Sequence, residues 1–334
     1  MTSENGETKI STETPLAPAL PICDAHHHLW ERPPRNYLLE DLLHDLNSGH
    51  NIASTIAIEC GYGYRQTGPE EFKPVGETAF LESVAERVAN DPAIKSRIVS
   101  AIVGHANLAL GDGVAPVLEA HMAASPSRFR GIRHSTTWAG SGGLRNEASQ
   151  GLLADSKFRR GIAWLKKLDL SFDAWLYHPQ LTELADLAGV FADVTIILNH
   201  IGAPLGVGPY AGKRDEVFRL WSEGIAAVAK CSNIVVKLGG FGSVRSGYDW
   251  HQRTIKPSSL EVAAVLTPYC EFCIEEFGVD RCMFESNFPV GKLSNSYVVV
   301  WNAFKRITAH YSAAERAALF HDTATRIYRT SPST

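Results

Sequence analysis

The stretch that decides the fold is "LPICDAHHHLW", residues 20–30, in which a short apolar run ends in three consecutive histidines. Alternate side chains of an extended chain share a face, so Asp24, His26 and His28 are predicted to point the same way. A His-x-His pair at the end of a strand can offer two neutral imidazoles to one metal ion. The alternative is that three of the 13 histidines lie together in a solvated loop.

Seven similar apolar runs follow, each leading into a Gly, Pro, His or Asn cluster and then, along most of the chain, into a stretch of helical period. The eight runs cover residues 20–26, 52–60, 96–104, 129–134, 170–177, 194–199, 233–238 and 281–286. Apolar strands that alternate with helices are typical of a parallel sheet covered on both faces. Eight such units in about 300 residues predict a single (β/α)8 TIM barrel. A doubly wound open sheet is the second choice, but no G-x-G-x-x-G follows the first run.

The composition favours a small-molecule partner. The chain has 334 residues and a formal charge of -4, which provides no basic surface for nucleic acid or for an anionic membrane. No segment has the roughly 18 uninterrupted apolar residues that spanning a bilayer requires. Six cysteines in a chain of this length do not form a dense disulfide framework. The exposed helices permit a homodimer, but nothing in the pattern requires one.

The ends of the chain differ in character from the repeating part. Residues 1–20 are polar, with neither a basic start nor an apolar core, and predict a disordered N-terminal tail on a cytoplasmic protein. The barrel is expected to span residues 21–330 as one domain, because no linker or short repeat interrupts it. The segment "SAAERAALFHDTATRIYR", residues 312–329, predicts one or two closing helices on the outside of the barrel.

Polar side chains follow every predicted strand. In a TIM barrel the carboxyl ends of the strands converge on one rim, where catalytic groups lie. In chain order the residues at these ends are His26 and His28, Glu59, His105, Arg133 and His134, His178, His200, Lys237, and Glu285 with Asn287. Packing alone does not explain polar groups at all eight ends, so the set predicts a functional cluster.

The motifs along the chain resemble those of the amidohydrolase superfamily, in the branch of TIM-barrel hydrolases that includes sugar lactonases and 2-pyrone-4,6-dicarboxylate lactonase. The matching segments are "DAHHHLW", "ECGYGYR", "FRGIRHS", "FDAWLYHPQL", "NHIGAPLG", "VVKLGG" and "RCMFESNFPV", spread over residues 24–290. The resemblance implies hydrolysis of a lactone, or of a related ester or amide, by water at the barrel mouth. It also implies a divalent metal, with Zn²⁺ as the first choice, held by His26, His28, His178 and His200.

The chain departs from the superfamily pattern at the last strand. The aspartate that usually stands there is Asn287, and an amide neither accepts a proton from water nor brings negative charge to a metal. The sequence therefore predicts weak metal occupancy. Glu285 shares a face with Asn287 by alternation, and either pairs with Lys237 or acts as a ligand or base. Asp24 either orients His26 or holds a metal.

The predicted chemistry is the opening of a small lactone that carries a carboxylate. The catalytic candidates are His26, His28, His200, Glu285 and Asn287. Arg133 is expected to hold a carboxylate or to polarise the lactone carbonyl, unless a loop acid pairs with it. The other predicted substrate-binding residues are His134, Tyr64, Arg65, Tyr177 and His251. The alternatives are a metal-dependent decarboxylase of a small aromatic acid and a non-catalytic ligand-binding barrel.

Overall fold

The eight predicted runs form eight parallel strands, each hydrogen-bonded to the next along the chain. The structure is a computed structural model and describes residues 13–140 and 144–330. The strands are β1 Pro21–His27, β2 Asn51–Ile58, β3 Arg97–Gly104, β4 Phe129–Ser135, β5 Ser171–Trp175, β6 Ile196–Leu198, β7 Ile234–Leu238 and β8 Cys282–Phe284. The predicted single (β/α)8 barrel is confirmed.

The barrel closes between β1 and the segment that follows β8. The main-chain N–H of His28 donates to the carbonyl of Phe288 at 2.8 Å, and that of Asn287 donates to the carbonyl of His26 at 2.9 Å. These bonds bring the end of "DAHHH" beside "ESNF". The first and last of the predicted functional motifs are therefore neighbours in the structure.

A helix follows each strand and packs on the outside of the barrel. The helices are α1 Leu39–Leu46, α2 Val75–Ala89, α3 Ala115–Ala124, α4 Ser156–Lys167, α5 Leu181–Val190, α6 Arg214–Ala229, α7 Ser259–Phe277 and α8 Tyr297–Ile307, followed by α9 Ala313–Ala317 and α10 Thr323–Ile327. Side-chain caps define several starts. Asp155 accepts hydrogen bonds from the N–H groups of Lys157 and Phe158, both at 2.8 Å, and Ser258 forms a capping box with Glu261. None of the described helices is long and apolar enough to cross a bilayer.

Strand alternation produces two apolar layers. Ile56 and Ile58 of β2 point into the barrel, while Ala57 between them packs against the surrounding helices. Ala101 and Val103 of β3 repeat this arrangement. The barrel is thus filled with side chains, and polar groups of a site have room only towards the strand ends.

The sequence predicted that the C-terminal segment packs on the outside of the barrel. The structure differs, because part of this segment is buried in the barrel. Ala324 and Tyr328 are buried in the same cluster as the interior residues of the strands. The physical reason is that the amino ends of the strands leave apolar side chains that need a cover. Tyr328 supplies this cover and brings a hydroxyl group into the barrel.

The predicted disordered tail requires a correction for its second half. Residues 1–12 lie outside the described residues, but residues 13–20 pack on α7 and α8. Glu13 accepts hydrogen bonds from the N–H of Ser259 at 2.7 Å and from the side chain of Asn302 at 2.9 Å. The ammonium group of Lys305 donates to the carbonyl of Ala17 at 3.0 Å. These hydrogen bonds hold residues 13–20 against the two helices.

Candidate active site

A cavity of about 340 Å³ opens at the carboxyl ends of the strands. Among the predicted residues, those that line the cavity are His28, Glu59, Arg133, His200 and Asn287. His26 and Glu285 are fully buried and contact these lining residues. The strand ends therefore converge as the barrel geometry requires, and they bring seven of the predicted residues together.

The imidazoles of His26 and His28 face each other. Nδ1 of His28 lies 2.8 Å from the carbonyl oxygen of Ile58, so Nδ1 carries the proton and Nε2 keeps its lone pair. Nε2 of His28 in turn lies 3.3 Å from Nε2 of His26. Two lone pairs at this distance repel, so either a proton on His26 or a cation lies between the two rings.

Glu285 fixes the ring of His200. One carboxylate oxygen, Oε1, accepts hydrogen bonds from the main-chain N–H of His200 at 3.1 Å and from Nδ1 of its ring. The ring proton is therefore assigned to Nδ1, which leaves Nε2 of His200 as a proton acceptor. His200 lines the cavity while Glu285 is fully buried, so the pair has the arrangement of a general base and its orienting carboxylate.

Two glycines make room for this pair. A Cβ atom on Gly239 would lie 2.4 Å from Cγ of Glu285, and one on Gly240 would lie 2.5 Å from Cβ of His200. Gly240 also has a φ of +81°, which favours glycine. The "LGG" at the end of β7 is therefore needed for the approach of His200 to Glu285.

Of the two alternatives for Glu285, the ion pair with Lys237 is not the one that the structure shows. The ammonium group of Lys237 lies 2.8 Å from Oδ2 of Asp173, and both side chains are fully buried. Asp173 also accepts hydrogen bonds from the hydroxyl of Tyr328 at 2.9 Å and from the amide of Asn199 at 3.0 Å. Because Asp173 on β5 balances the charge of Lys237, the carboxylate of Glu285 pairs with His26 and His200 instead.

Asp24 does not serve the imidazole of His26. Its carboxylate accepts hydrogen bonds from the hydroxyl of Ser286 at 2.6 Å, from the hydroxyl of Tyr297 at 2.9 Å, and from the main-chain N–H of His26 at 3.3 Å. The pairing of β1 with β2 shifts between Asp24 and His27, which breaks the strict alternation. Asp24 therefore connects β1 to the segment after β8 by hydrogen bonds and does not point at the cavity.

His26, His200 and Glu285 form a group that suits a metal ion. One donor atom from each lies within 4.8 Å of the others, and two imidazoles with a carboxylate are a donor set that Zn²⁺ uses. Oε2 of Glu285 lies 2.8 Å from Nδ1 of His26 and makes no hydrogen bond within the described residues. A cation bound here would satisfy this buried carboxylate oxygen. The residues present therefore fit a divalent metal, with Glu285 supplying the negative charge that Asn287 lacks.

His26, near the end of β1, and His28, directly after it, are held in the neutral form. Burial lowers the pKa of His26 well below its usual value, and the nearby charges of Lys237 and other cationic groups lower it further. Burial and the charge of Arg133 act in the same way on the pKa of His28. Both rings are uncharged at neutral pH and can act as metal ligands or proton acceptors.

Arg133 is held by Glu59 at the rim. Its Nε lies 2.6 Å from the Glu59 carboxylate, and its Nη1 lies 3.3 Å from Nε2 of His26. Burial lowers the pKa of Arg133, but the carboxylate of Glu59 more than offsets this effect, so the guanidinium stays charged. Arg133 has one ion-pair partner already and faces the cavity as a fixed positive charge.

His178 does not join the group formed by the other histidines. Its Nδ1 accepts a hydrogen bond from the N–H of Leu205 at 3.4 Å, and its ring centroid lies 4.9 Å from that of Tyr210. Burial lowers its pKa to about 4. It does not line the cavity and is not part of the candidate metal group.

The cavity wall differs from the predicted one. Five predicted substrate-binding residues do not line it, namely Tyr64, Arg65, His134, Tyr177 and His251. The ring of His134 accepts a hydrogen bond from the N–H of Leu108 at 3.1 Å, and the hydroxyl of Tyr177 donates to the carbonyl of Arg145 at 2.9 Å. These two side chains support loops near the site.

Lining residues that were not predicted include Trp30, Arg32, Arg145, Glu147, Trp175 and Arg245. Trp175 was detectable in principle, because it is the last residue of β5 and shares a face with Tyr177 by alternation. Arg145 and Arg245 lie in loops rich in Gly and Ser, and Arg32 lies in a loop with two prolines. The sequence does not specify the conformations of such loops.

A closed parallel barrel with imidazoles, a buried carboxylate and an arginine around one cavity at the carboxyl ends defines an enzyme of the TIM-barrel hydrolase class. The chain belongs to the Amidohydrolase family, whose sequence profile matches residues 23–330. The family expected from the sequence motifs is thus confirmed.

Relatives of the chain match it over nearly its whole length. An uncharacterised protein, y4mH, from Sinorhizobium fredii is 33% identical, over 92% of this chain and 98% of its own. An L-fucono-1,5-lactonase from Burkholderia multivorans is 27% identical, over 91% of this chain and 95% of its own. An amidohydrolase from Burkholderia multivorans has been solved with bound HEPES, and this structure is 25% identical with a TM-score of 0.71. A second structure, with bound Zn, is 24% identical with a TM-score of 0.72. Each match covers 92% of this chain and 99% of the other chain.

Proposed function

We propose that the protein hydrolyses a small lactone at the mouth of the barrel. The observation that carries this proposal is the His200–Glu285 pair, which presents a proton acceptor to a cavity beside the guanidinium of Arg133. A base next to a fixed positive charge suits attack of water on a carbonyl group. The L-fucono-1,5-lactonase at 27% identity supports lactones as the substrate class.

The proposed reaction begins with transfer of a proton from water to Nε2 of His200, while the water oxygen forms a bond to the lactone carbonyl carbon. Glu285 stabilises the resulting imidazolium through Nδ1. Arg133 and the amide of Asn287, which both line the cavity, stabilise the negative charge on the carbonyl oxygen. The bond from the carbonyl carbon to the ring oxygen then breaks, and the imidazolium returns its proton to that oxygen.

We propose that a divalent metal, Zn²⁺ as the first choice, binds at His26, His200 and Glu285. The metal would supply Lewis-acid stabilisation of the negative charge on the substrate. With the metal bound, His200 would be one of its ligands, and His28 would be the remaining imidazole that lines the cavity. The six cysteines are free thiols, which supports the further proposal of a cytoplasmic location.

The proposed function is tested with a panel of sugar lactones and carboxylated lactones, with and without added Zn²⁺. Release of acid is followed with a pH indicator. We expect turnover of at least one lactone, and loss of that turnover in a Glu285→Gln variant. Turnover by the variant at the rate of the unaltered protein, or decarboxylation of an aromatic acid with no lactone hydrolysis, would contradict the proposal.

Replacing Asn287 by aspartate is expected to raise the affinity for Zn²⁺ by about tenfold, because a carboxylate is added next to a site flanked by the cations of Arg133 and Lys237. The affinity is measured by competition with a chelator. Asn295→Asp is the matched control, since the side-chain oxygen of Asn295 is also buried and has no hydrogen-bond partner among the described residues, but lies away from this cavity. If the unaltered protein already holds one zinc ion tightly and Asn287→Asp adds nothing, Glu285 is a sufficient acidic ligand.

A further inference from the structure

A second cavity, of about 530 Å³, adjoins the active-site cavity. It lies among the loops that follow β1, β7 and β8. The residues that line both cavities are Trp30, Arg32, Ser243, Arg245 and Val290. A ligand bound over the histidines can therefore extend past Arg245 into this second space.

Both cavities are cationic although the chain carries a formal charge of -4. The charged lining residues of the active-site cavity are Arg32, Arg133, Arg145 and Arg245 against Glu59 and Glu147. Those of the second cavity are Arg32, Arg35, Arg245 and Lys292 against Asp41. An excess of positive charge in a concave space favours an anionic ligand.

Among the charged residues that line the active-site cavity, only Arg245 has a side chain with no polar partner within the described part of the chain. Arg35, which lines only the second cavity, shares this property there. Arg133 pairs with Glu59, Arg145 lies 3.4 Å from Glu147, and Lys292 lies 2.8 Å from Asp45. The guanidinium of Arg245 makes neither an ion pair nor a hydrogen bond with residues 13–140 or 144–330. Its central carbon lies 6.0 Å from the centroid of the Trp175 ring, which also lines the active-site cavity.

The loop that carries Arg245 is anchored. The N–H of Gly206, after β6, donates to the carbonyl of Arg245 at 2.9 Å. A Cβ atom on Gly206 would lie 2.2 Å from the carbonyl oxygen of Ser246, and one on Gly247 would lie 2.2 Å from that of Gly206. Because the two glycines let the loop backbones touch, the main chain of Arg245 is held in place before any ligand binds.

We propose that Arg245 binds a carboxylate on the substrate, and that the lactone extends from the histidines towards the second cavity. This inference rests on the proposed lactone hydrolysis and names its substrate class as lactones that carry a carboxylate. A guanidinium can bind a carboxylate through two parallel hydrogen bonds. Arg133 is less suited to this role because Glu59 already occupies its Nε.

The test compares Arg245→Gln, Arg245→Lys and the control Arg219→Gln, which alters an exposed ion pair with Glu223 on α6. Binding of glutarate is measured by titration calorimetry, independently of turnover. Arg245→Gln is expected to weaken glutarate binding, and to lower kcat/KM for a carboxylated lactone relative to a neutral one, both by about tenfold. Arg245→Lys is expected to recover part of the loss, since it keeps the charge but not the paired donors.

Two results would overturn the inference. One is glutarate binding that is equal in the unaltered protein and in Arg245→Gln, and the other is a preference for neutral lactones that the substitution leaves unchanged. Failure of the proposed function is distinguishable from failure of this inference. If no lactone is hydrolysed but glutarate binds and Arg245→Gln weakens that binding, the carboxylate site is supported and the proposed reaction class is wrong.

Discussion

Replacing His200 by alanine is expected to lower kcat for lactone hydrolysis by at least about a hundredfold, the scale of a lost general acid or base. The substitution removes the ring whose Nδ1 is fixed by Glu285 and whose Nε2 is free at the cavity. His26→Ala is expected to have an effect of the same order, because it removes a metal donor and the neighbour of His28. The measurement is kcat on the lactone that the panel identifies.

The control for these variants is His310→Ala, an exposed histidine 3.9 Å from Glu271 and away from the cavity. Its kcat is expected to match that of the unaltered protein. Circular dichroism and thermal unfolding show whether each variant is folded. Folded His200→Ala and His26→Ala proteins that turn over lactone at the original rate would mean that the histidines are structural, and the base would have to be sought elsewhere.

The fold was predictable because its signal is repeated eight times. Each predicted run overlaps an observed strand, and the differences are at the ends: the run 170–177 corresponds to β5 at Ser171–Trp175, and the run 194–199 to β6 at Ile196–Leu198. The chain after a short strand is still apolar, so hydropathy does not mark where the ladder stops. That is why Tyr177, two residues past β5, was predicted at the cavity in place of Trp175.

The site was predictable where a residue stands directly at a strand end. His26, His28, Arg133 and Glu285 meet around the cavity because the barrel brings the strand ends together. His178 lies three residues past the end of β5, in a turn whose direction is set by contacts with Leu205 and Tyr210. Loop residues of this kind depend on tertiary contacts that a single sequence does not encode locally.

The partner of Lys237 was hidden for a different reason. Asp173 is in the middle of "SFDAW", surrounded by apolar residues, and the sequence provides no sign that it faces β7 across the barrel. The third member of this network, Tyr328, comes from the far end of the chain. Contacts across the interior of a barrel join residues that are distant in sequence, so spacing does not reveal them.

Replacing Lys237 by methionine is expected to lower the free energy of unfolding by about 3–5 kcal/mol, the cost of leaving one partner of a buried ion pair without the other. The reason is that Asp173 would lose its cationic partner in a fully buried position and keep only the neutral donors of Tyr328 and Asn199. The measurement is urea unfolding followed by circular dichroism. Arg219→Met, which breaks the exposed pair with Glu223, is the control and is expected to cost less than about 1 kcal/mol.

A second substitution separates loss of charge balance from loss of packing. In the double variant Lys237→Met with Asp173→Asn, no charge remains at this position, and the amide oxygen still accepts hydrogen bonds from Tyr328 and Asn199. The double variant is therefore expected to be more stable than Lys237→Met alone. A double variant less stable than the single one would show that the methionine packs poorly and that the unpaired carboxylate is not the main cost. Lys237 also lies 3.4 Å from Nδ1 of His26, and both variants lack this contact. A kcat that stays low while stability recovers would therefore show that the ammonium group supports the histidine directly.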